Sequence, residues 1–284
     1  MKRDVADNTR SIGAILVANG HLQSEDANRV ALRQLKSKQQ FGAAAVAMKL
    51  VSQEELAFAL AQQFDYAYLS PQDTSLSTDL VAAYKPFSHA GESLRAVRSQ
   101  LRLRWLNTAR SRKVLAVVSP ASGEGRSFVA ANLAIVFAQH GERTLLIDGD
   151  LRSAQQQELF RLQKSAGLSG ILSGRADLRA AMTVAGLPGL IVLPSGPVPP
   201  NPQELLGRVA FTALLQAAIQ QFDVIIIDTP RADEFADAEI VAATAGAALM
   251  VARKNKTVLP KAAELARRLQ NNGVDVIGSV LNDA

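Results

Sequence analysis

The sequence predicts an α/β fold, a parallel sheet with helices on both faces, preceded by a small all-α domain. Three continuous apolar runs, at 114–118, 145–147 and 224–227, predict the sheet. Strands buried on both faces are apolar throughout rather than alternating, and stretches with helical patterns separate these runs. The N-terminal region up to Gln63 instead carries apolar side chains at helical spacing, which predicts the all-α part.

Composition indicates a folded protein of the reducing interior of the cell. Of the 284 residues, 48% are hydrophobic and 20% are charged. Cysteine is absent, which excludes disulfides, thiolate metal sites and a cysteine nucleophile. The start, MKRDVAD, lacks the apolar core of a signal peptide, and no stretch reaches the roughly 18 apolar residues of a membrane span. We therefore expect a cytoplasmic protein with no direct membrane span.

The net charge of +5 comes from one segment. Residues 81–113 contain 8 basic residues against Glu92 alone, whereas the flanking regions are nearly balanced. Nucleic-acid grooves interleave aromatic residues with basic ones, and Trp105 is the one tryptophan here, so no nucleic-acid partner is expected. A partner subunit or an anionic membrane surface suits this basic stretch.

Two segments near the N-terminus, 11–34 and 40–63, are equal in length and repeat one another without gaps. The coincident residues are Gly13/Gly42, Val17/Val46, Ala18/Ala47, Glu25/Glu54 and Gln34/Gln63. Each copy predicts a short apolar helix, a turn and a second helix. Ser24 and Ser52 are the expected N-caps, and Glu55 has capping-box spacing from Ser52.

This region, residues 1–69, resembles the MshE-type N-terminal domain of type II secretion and pilus ATPases. The resemblance rests on the length of the two motifs, the short spacer at 35–39 and the terminal glutamines. The motifs of that family bind cyclic di-GMP, which the resemblance implies as a possible ligand. Ser11 and Gln40 stand where the family has arginine, and Lys49 replaces a glycine. Arginine is the planar donor suited to guanine or phosphate, so we prefer a partner-docking bundle that no longer binds nucleotide.

A linker is predicted at residues 70–87, within a stretch rich in Ser, Thr, Pro and Asp that begins at Tyr66. The other two tyrosines of the chain, Tyr68 and Tyr84, also lie in this stretch. We interpret all three as packing residues rather than as targets of chemistry.

A basic helix is predicted at residues 90–107. Its apolar stripe consists of Leu94, Val97, Leu101 and Trp105. Glu92, Arg95 and Arg98 recur at every third position on a neighbouring face, where a carboxylate and a guanidinium group can pair. Spacing alone predicts only a solvated helix face.

A glycine-rich turn, SPASGEGRS at residues 119–127, follows the first predicted strand. Glycines let backbone amides approach phosphate oxygens closely, and the N-terminus of the next helix adds positive potential. The layout is that of a phosphate-binding loop, so the fold is expected to be P-loop NTPase-like. The predicted cofactor-binding residues of the loop are Ser122, Gly123, Glu124, Gly125, Arg126, Ser127 and Phe128. Ser127 would offer its hydroxyl to a magnesium ion, while Arg126 stands where a P-loop normally has lysine.

Acidic residues follow two further strands. Asp148 and Asp150 come after the second apolar run, and Asp228 ends the third. Ligands of parallel sheets sit at the carboxyl ends of the strands, where these acids would gather beside the loop. A single acid after a strand is often only a helix cap. Three beside a glycine-rich loop instead favour magnesium binding and proton acceptance from an attacking hydroxyl.

Residues 88–284 resemble the cytoplasmic domain of the bacterial tyrosine kinases (BY-kinases) that control exopolysaccharide chain length, and fit the EpsG or methanolan type best. Residues 119–127, 145–152 and 225–230 match the Walker A, Walker A′ and Walker B motifs of that family. The run PPNPQELL at 199–206 resembles its Pro-Asn-Pro-x-Glu-Leu-Leu segment. The Glu-x-x-Arg-x-x-Arg spacing of the basic helix resembles its oligomerisation motif.

The resemblance implies ATP and Mg²⁺ as cofactors and assigns roles to single residues. Asp148 would activate the acceptor hydroxyl or hold the metal through water, with Asp150 in support. Asp228 and Ser127 would anchor the metal. Arg126 would contact the β- and γ-phosphates of ATP.

The resemblance also implies contacts beyond the phosphate site. Asn282, in the final predicted strand, would reach the adenine, although an asparagine there could equally be a strand-end turn. Glu92, Arg95 and Arg98 would bridge neighbouring subunits of a homo-oligomer. A membrane chain-length determinant (Wzz-like) protein would recruit the chain to the inner membrane.

The pattern departs from the family in two places. Arg126 is a planar fork, whereas the P-loop lysine is a compact point charge, so nucleotide binding should survive better than phosphoryl transfer. The family carries a C-terminal tyrosine cluster, but no tyrosine follows Tyr84, so tail autophosphorylation is not expected for this polypeptide.

Three functions remain open from the sequence. The first is an ATP-dependent tyrosine kinase, acting on another protein or on the linker tyrosines. The second is a catalytically weakened, nucleotide-binding regulatory subunit of the polysaccharide export machinery. The third is a ParA/MinD-like ATPase, which is less favoured because those proteins have an extra lysine early in the P-loop and residues 114–125 contain none.

Overall fold

A computed structural model describes residues 11–64, 67–70, 72–107 and 112–283. The chain divides into two compact units, with the boundary after Ser70. Among the described residues, no helix combines the length and the apolar character needed to cross a membrane.

The first unit is a bundle of two helix pairs. Its helices are α1 (Ile12–Ala18), α2 (Ser24–Ser37), α3 (Phe41–Ala47) and α4 (Gln53–Gln63). The short helices α1 and α3 begin at aligned positions of the two copies, as the repeat predicts. Buried side chains from both copies, including Leu16, Val30 and Ala59, form one apolar core. Because this core takes side chains from both copies, the two helix pairs stabilise one another.

The repeat extends to the turns after α1 and α3. Gly20 and Lys49 occupy equivalent positions and both have positive φ, 74° and 57°. The turn therefore imposes a left-handed residue on both copies, and Lys49 adopts it without the freedom of glycine.

The two predicted N-caps have different outcomes. Ser52 forms the capping box with Glu55. By contrast, Ser24 is the first residue of α2, and Gln23 takes the N-cap position without a side-chain hydrogen bond. The alignment of the two copies places Gln23, not Ser24, opposite Ser52, so the prediction at Ser24 was one position out of register.

The second unit is built on one parallel sheet. Within the described residues its strands are β1 (Val114–Val118), β2 (Thr144–Asp148), β3 (Met182–Thr183), β4 (Leu190–Leu193), β5 (Val224–Asp228), β6 (Ala247–Arg253) and β7 (Asp275–Asn282). The spatial order is β3-β4-β2-β5-β1-β6-β7, with only the β3–β4 pair antiparallel. Every residue of β1, β2 and β5 is buried, which confirms the parallel sheet predicted from their continuous apolar runs.

Helices connect and cover these strands. They are α5 (Val81–Tyr84), α6 (His89–Leu101), α7 (Arg126–Ala138), α8 (Gln156–Leu159), α9 (Gly167–Leu172), α10 (Pro202–Leu206), α11 (Val209–Gln221), α12 (Asp237–Ala245) and α13 (Leu259–Asn271). The basic helix is α6, extended by a π-helical turn at Arg102–Leu106. Trp105 in that turn is buried and packs edge-to-face on Phe137 of α7.

The segment predicted as a linker is folded onto the second unit. We call residues 72–87 the strap. Ala82 of the strap donates its backbone N–H to Asn132 Oδ1 of α7 (2.9 Å), and Asn132 Nδ2 donates to the carbonyl of Asp79 (3.1 Å). Leu76 and Leu80 are buried. The Ser, Pro and Asp residues produce turns, as the composition indicates, but the leucines between them are buried and α5 packs against α7. The ordered unit therefore begins before residue 88.

Two of the tyrosines have packing roles. Tyr84 is buried, and its hydroxyl accepts from the N–H of Leu76 and donates to the carbonyl of the same residue (3.1 Å each). Tyr68 packs edge-to-face on Phe58, and burial raises the pKa of its hydroxyl to about 12. Tyr66 lies outside the described residues.

Candidate nucleotide-binding site

The glycine-rich loop joins the end of β1 to the start of α7, where it requires glycine at two positions. Gly123 and Gly125 have φ values of 68° and 90°. A Cβ on Gly125 would lie 2.0 Å from Asn282 Nδ2, and one on Gly123 would lie 2.4 Å from Lys256 Nζ. The positive φ values strain any other residue at both positions, whereas the Lys256 side chain near Gly123 is flexible and could move aside.

Glu124 shapes the loop with its side chain. The carboxylate is buried, with Oε2 accepting from the N–H of Ala121 (2.8 Å) and Oε1 from the hydroxyl of Thr257 (2.5 Å). The side chain therefore stabilises the loop, and the predicted contact of Glu124 with the cofactor, through its backbone amide, stays a prediction.

Residues at the ends of β6 and β7, and the turn after β6, support the loop from outside. Arg253 and Lys256 both donate to the carbonyl of Gly123, at 3.1 and 3.2 Å. Asn282 Nδ2 donates to the carbonyl of Glu124 (3.1 Å). Sequence reasoning missed Arg253, Lys256 and Thr257, because a polar run after an apolar strand indicates only a turn.

The strand-end acids gather as predicted, and two of them are deeply buried. Asp148 and Asp228 are register partners at the ends of β2 and β5, and both are 0% exposed. Burial, followed by the charge of Asp228, raises the pKa of Asp148 well above its ordinary value. Burial also raises the pKa of Asp228, while the charge of Arg126 opposes that effect.

Protein donors surround the Asp148 carboxylate. Oδ1 accepts from the N–H of Asp150 (3.3 Å), and Oδ2 accepts from the N–H groups of Gln155 (3.2 Å) and Gln156 (3.0 Å). In this arrangement Asp148 holds the turn that follows β2.

Arg126 turns inward to the acids. Its Nε donates to Asp228 Oδ1 (3.2 Å), its Nη2 to Asp150 Oδ2 (3.2 Å) and its Nη1 to Ser119 Oγ (3.1 Å). The side chain is only 10% exposed. The guanidinium group therefore lies between the carboxylates of Asp150 and Asp228, two of the acids that were expected near a magnesium ion.

Gln156 of α8 is a further residue that sequence reasoning missed. Its Nε2 donates to Asp228 Oδ2 (2.8 Å) and to the carbonyl of Ser127 (3.2 Å). It thus links the end of β5 to the first turn of α7. A glutamine downstream of Asp148 belongs to no sequence motif, so only the structure reveals its contacts with Asp228 and Ser127.

A cavity of about 440 Å³ opens beside the loop. Its lining residues are Ser122, Gly123, Glu124, Gly125, Arg126, Ser127, Phe128, Asp150, Arg152, Ser153, Gln155, Pro230, Arg231 and Phe235. The predicted loop residues 122–128 are all among them, as is Asp150. Asp148 and Asp228 lie behind the cavity wall instead. Asn282 lines a second cavity of about 310 Å³, to which Phe128 also contributes.

The cavity is suited to an anion. Besides Arg126 it presents Arg152, which stacks on Phe235 at 3.6 Å and donates to Asp237 Oδ2 (2.6 Å). Arg231 is the third lining arginine. Together with the N-terminus of α7, these cations favour phosphate groups.

Comparison with known proteins agrees with this geometry. The CobQ/CobB/MinD/ParA nucleotide binding domain matches residues 115–284. The chain is 33% identical over 207 residues to tyrosine-protein kinase YwqD of Bacillus subtilis, covering 73% of this chain and 86% of that protein. It belongs to the bacterial tyrosine-protein kinase family.

Two further BY-kinase relatives show the extent of the match. The chain is 34% identical over 203 residues to the putative tyrosine-protein kinase AmsA of Erwinia amylovora, covering 72% of this chain but 28% of that protein. The solved kinase domain of Escherichia coli ETK superposes with a TM-score of 0.70 at 31% identity, covering 78% of this chain and 86% of that structure. The chain thus spans under a third of the length of AmsA.

Magnesium, which the BY-kinase resemblance implies, does not fit the donors as they stand. Ser127 and Asp150 offer oxygen atoms at the cavity, the ligand type that magnesium prefers. However, the guanidinium of Arg126 already lies between Asp150 and Asp228. No group of three acidic or histidine residues in the described part of the chain is arranged to hold a metal ion. The assignment of metal to Ser127, Asp148 and Asp228 stays a prediction.

The BY-kinase oligomerisation motif on α6 makes contacts within the chain. Arg95 pairs with Glu92 and donates to the carbonyl of Pro86. Arg98 donates to the carbonyl of Val136 in the last turn of α7 (2.9 Å), where helix carbonyls lack helical partners. Glu92, 64% exposed, is the member of the motif that is most open to another protein.

Proposed function

We propose that this chain binds ATP at the glycine-rich loop and acts as a protein-tyrosine kinase of bacterial exopolysaccharide biosynthesis and chain-length control. The observation that carries the proposal is the cavity that brings loop residues 122–128 together with Asp150 and three arginines. Relatives of the chain, among them YwqD and ETK, are named tyrosine kinases.

Different residues of the cavity would bind the triphosphate, offset its charge and accept the tyrosine proton. The loop and the N-terminus of α7 would hold the triphosphate, and Arg126, Arg152 and Arg231 would offset its charge. The tyrosine oxygen would attack the γ-phosphorus, forming a new P–O bond as the bond to the β,γ-bridging oxygen breaks and ADP leaves. Asp150, which lines the cavity, is better placed than Asp148 to accept the tyrosine proton.

We propose that the acceptor tyrosine belongs to another protein. The hydroxyl of Tyr84 is buried and makes two backbone hydrogen bonds, so it cannot reach a phosphate without unfolding the strap. Tyr68 is held against Phe58 in the first unit. These contacts argue against Tyr68 and Tyr84 as substrates.

The test incubates the purified protein and a tyrosine-containing partner with γ-labelled ATP. We expect label on tyrosine that is lost in Asp150→Ala and Asp228→Ala. Asp177→Ala, at an exposed position remote in sequence from every motif, is the matched control and should retain transfer. Absence of tyrosine label from the unsubstituted protein would contradict the kinase proposal.

A second candidate, a nucleotide-binding regulatory subunit, is favoured by Arg126. Its guanidinium bonds to Asp150 and Asp228 instead of standing free for the γ-phosphate. Displacement of one charged group in such a site reduces rates by orders of magnitude. ATP binding without transfer, with transfer gained in Arg126→Lys, would support the regulator over the kinase.

We also propose that the chain assembles with copies of itself and with a membrane chain-length determinant (Wzz-like) protein, which would recruit it from the cytoplasm to the inner membrane. The exposed carboxylate of Glu92 supports a contact between copies. Glu92→Ala combined with Arg95→Ala should shift the oligomer toward monomer in light scattering. Arg179→Ala, another exposed ion-pair residue, should leave the mass unchanged. Equal masses for both variants would show that Glu92 and Arg95 do not contribute to the contact between copies.

For the first unit we propose a partner-docking role, with cyclic di-GMP as the alternative ligand. Its two helix pairs bury one apolar core, which supports a stable bundle. Ser11 and Gln40 begin the repeats where the MshE-type motifs have arginine. Equilibrium dialysis showing micromolar binding of cyclic di-GMP would favour the alternative.

A further inference from the structure

We infer that Arg126 takes the place of the divalent cation at this site, so that the protein binds a nucleoside triphosphate without magnesium. The inference rests on the ATP binding proposed above and concerns the form of nucleotide that the site accepts. It starts from the position of the guanidinium group, which bridges Asp150 Oδ2 and Asp228 Oδ1 at 3.2 Å each and is 10% exposed.

The remaining carboxylate oxygens also have protein donors. Asp228 Oδ2 accepts from Gln156 Nε2 (2.8 Å). Asp150 Oδ1 accepts from the N–H groups of Arg152 (3.1 Å) and Ser153 (2.8 Å). Both oxygens of Asp148 accept from backbone amides. Each oxygen of the three strand-end acids is therefore engaged by the protein itself.

Arginine can hold this arrangement and lysine cannot. The planar guanidinium presents several N–H donors in a fixed fork, and here three of its nitrogens reach Ser119, Asp150 and Asp228. A lysine ammonium carries its three donors on one nitrogen at the end of a flexible stem, so it cannot occupy the three separate donor positions that Nε, Nη1 and Nη2 hold here.

Magnesium would meet both a geometric and an electrostatic obstacle. It takes near-octahedral oxygen ligands, usually one or two carboxylates with waters and substrate phosphates, and here every carboxylate oxygen of the three strand-end acids already accepts a hydrogen bond. It would also stand beside the guanidinium group of Arg126, in a buried setting where like charges repel strongly. The loop amides and the N-terminus of α7 remain available to the phosphates, and Arg152 and Arg231, which pair with Asp237 and Glu234, line the same cavity. The site therefore suits metal-free triphosphate.

The test measures ATP binding to the full chain by calorimetry, once in excess Mg²⁺ and once in excess EDTA. The variants are Arg126→Lys and, as the matched control, Arg179→Lys, which changes an exposed arginine paired with Asp177. A parallel titration follows free Mn²⁺ by electron paramagnetic resonance in the presence of each protein.

The unsubstituted protein and Arg179→Lys should bind ATP with dissociation constants that differ less than about fivefold between the two buffers. Arg126→Lys should depend on Mg²⁺ by more than that factor, and should bind Mn²⁺ where the unsubstituted protein does not. A larger magnesium dependence in the unsubstituted protein, or equal Mn²⁺ binding by both, would overturn the inference while leaving ATP binding intact. Absence of ATP binding in both buffers would overturn the proposed function, and the Mn²⁺ titration would still decide whether Arg126 excludes the metal.

Discussion

At the residue scale, the surroundings of Asp148 disfavour the ionised form of its carboxyl group. Its carboxyl group is fully buried, and both burial and the charge of Asp228 raise its pKa. An acid whose pKa is raised in the folded state contributes its full stability below the unfolded pKa of about 3.9 and loses it as the pH rises through the folded pKa. Through Asp148 the folded protein therefore loses stability as the pH rises above about 4.

We expect Asp148→Asn to raise the thermal midpoint at pH 8, with the gain shrinking as the pH falls toward about 4. The amide keeps one acceptor for the backbone donors and carries no charge. Thermal unfolding between these pH values checks the result. Asp177→Asn is the control, because Asp177 is exposed and its pKa is lowered to about 2, so its small effect would have the opposite sign. A lower midpoint for Asp148→Asn at pH 8 would contradict this account.

At the scale of elements, α7 organises the second unit on two sides. Its N-terminus forms the end of the phosphate-binding loop, and its buried Asn132 holds the strap through Ala82 and Asp79. A third hydrogen bond runs from Asn132 Nδ2 to the carbonyl of Phe128 (3.0 Å). The strap and the loop are thus attached to the same helix.

Asn132→Ala should lower the free energy of unfolding by about 1–3 kcal/mol, because it leaves the buried N–H of Ala82 without an acceptor. The fluorescence of Trp105, which packs on α7, follows unfolding of this unit in urea. Asn272→Ala is the matched control, since Asn272 is exposed and its one weak contact is with Glu239 (3.4 Å). Equal losses for the two variants would show that the strap contact contributes nothing.

The sequence predicted those elements whose pattern is local. The apolar runs of β1, β2 and β5 and the stripe of α6 match the observed strands and helix. Strands β3, β4 and β6 were not predicted, and the strap was interpreted as a linker. The apolar runs of β4 (LIVL) and β6 (AALMVA) are as local as that of β1 and could have been predicted in the same way. The two-residue β3 and the packing of the strap depend instead on neighbours distant in the chain, which local composition does not record.

At the scale of the whole molecule, the boundary after Ser70 separates two units that each have a core. The strap belongs to the second, where Leu76, Leu80 and Tyr84 are buried. A fragment of residues 71–284 should therefore retain a cooperative thermal transition. A fragment of residues 88–284 should melt at a lower temperature, since it exposes the apolar surface of α7.

Circular dichroism and Trp105 fluorescence of both fragments check this prediction. The full chain is the reference, because it contains the strap as well as the first unit. Equal midpoints for the two fragments would mean that residues 71–87 behave as a linker after all.

By itself the sequence determined the α/β class, the repeat of the first unit and the location of the phosphate-binding loop. Each depends on short-range rules: continuous apolar runs, helical spacing, and glycines such as Gly125 where φ must be positive. Only the tertiary structure decided what Arg126 contacts, since Asp228 is far from it along the chain. The long-range packing of β2, β5 and α7 sets the distances between these charges. As a result, Arg126, which replaces the usual lysine of a P-loop, bonds to Asp150 and Asp228.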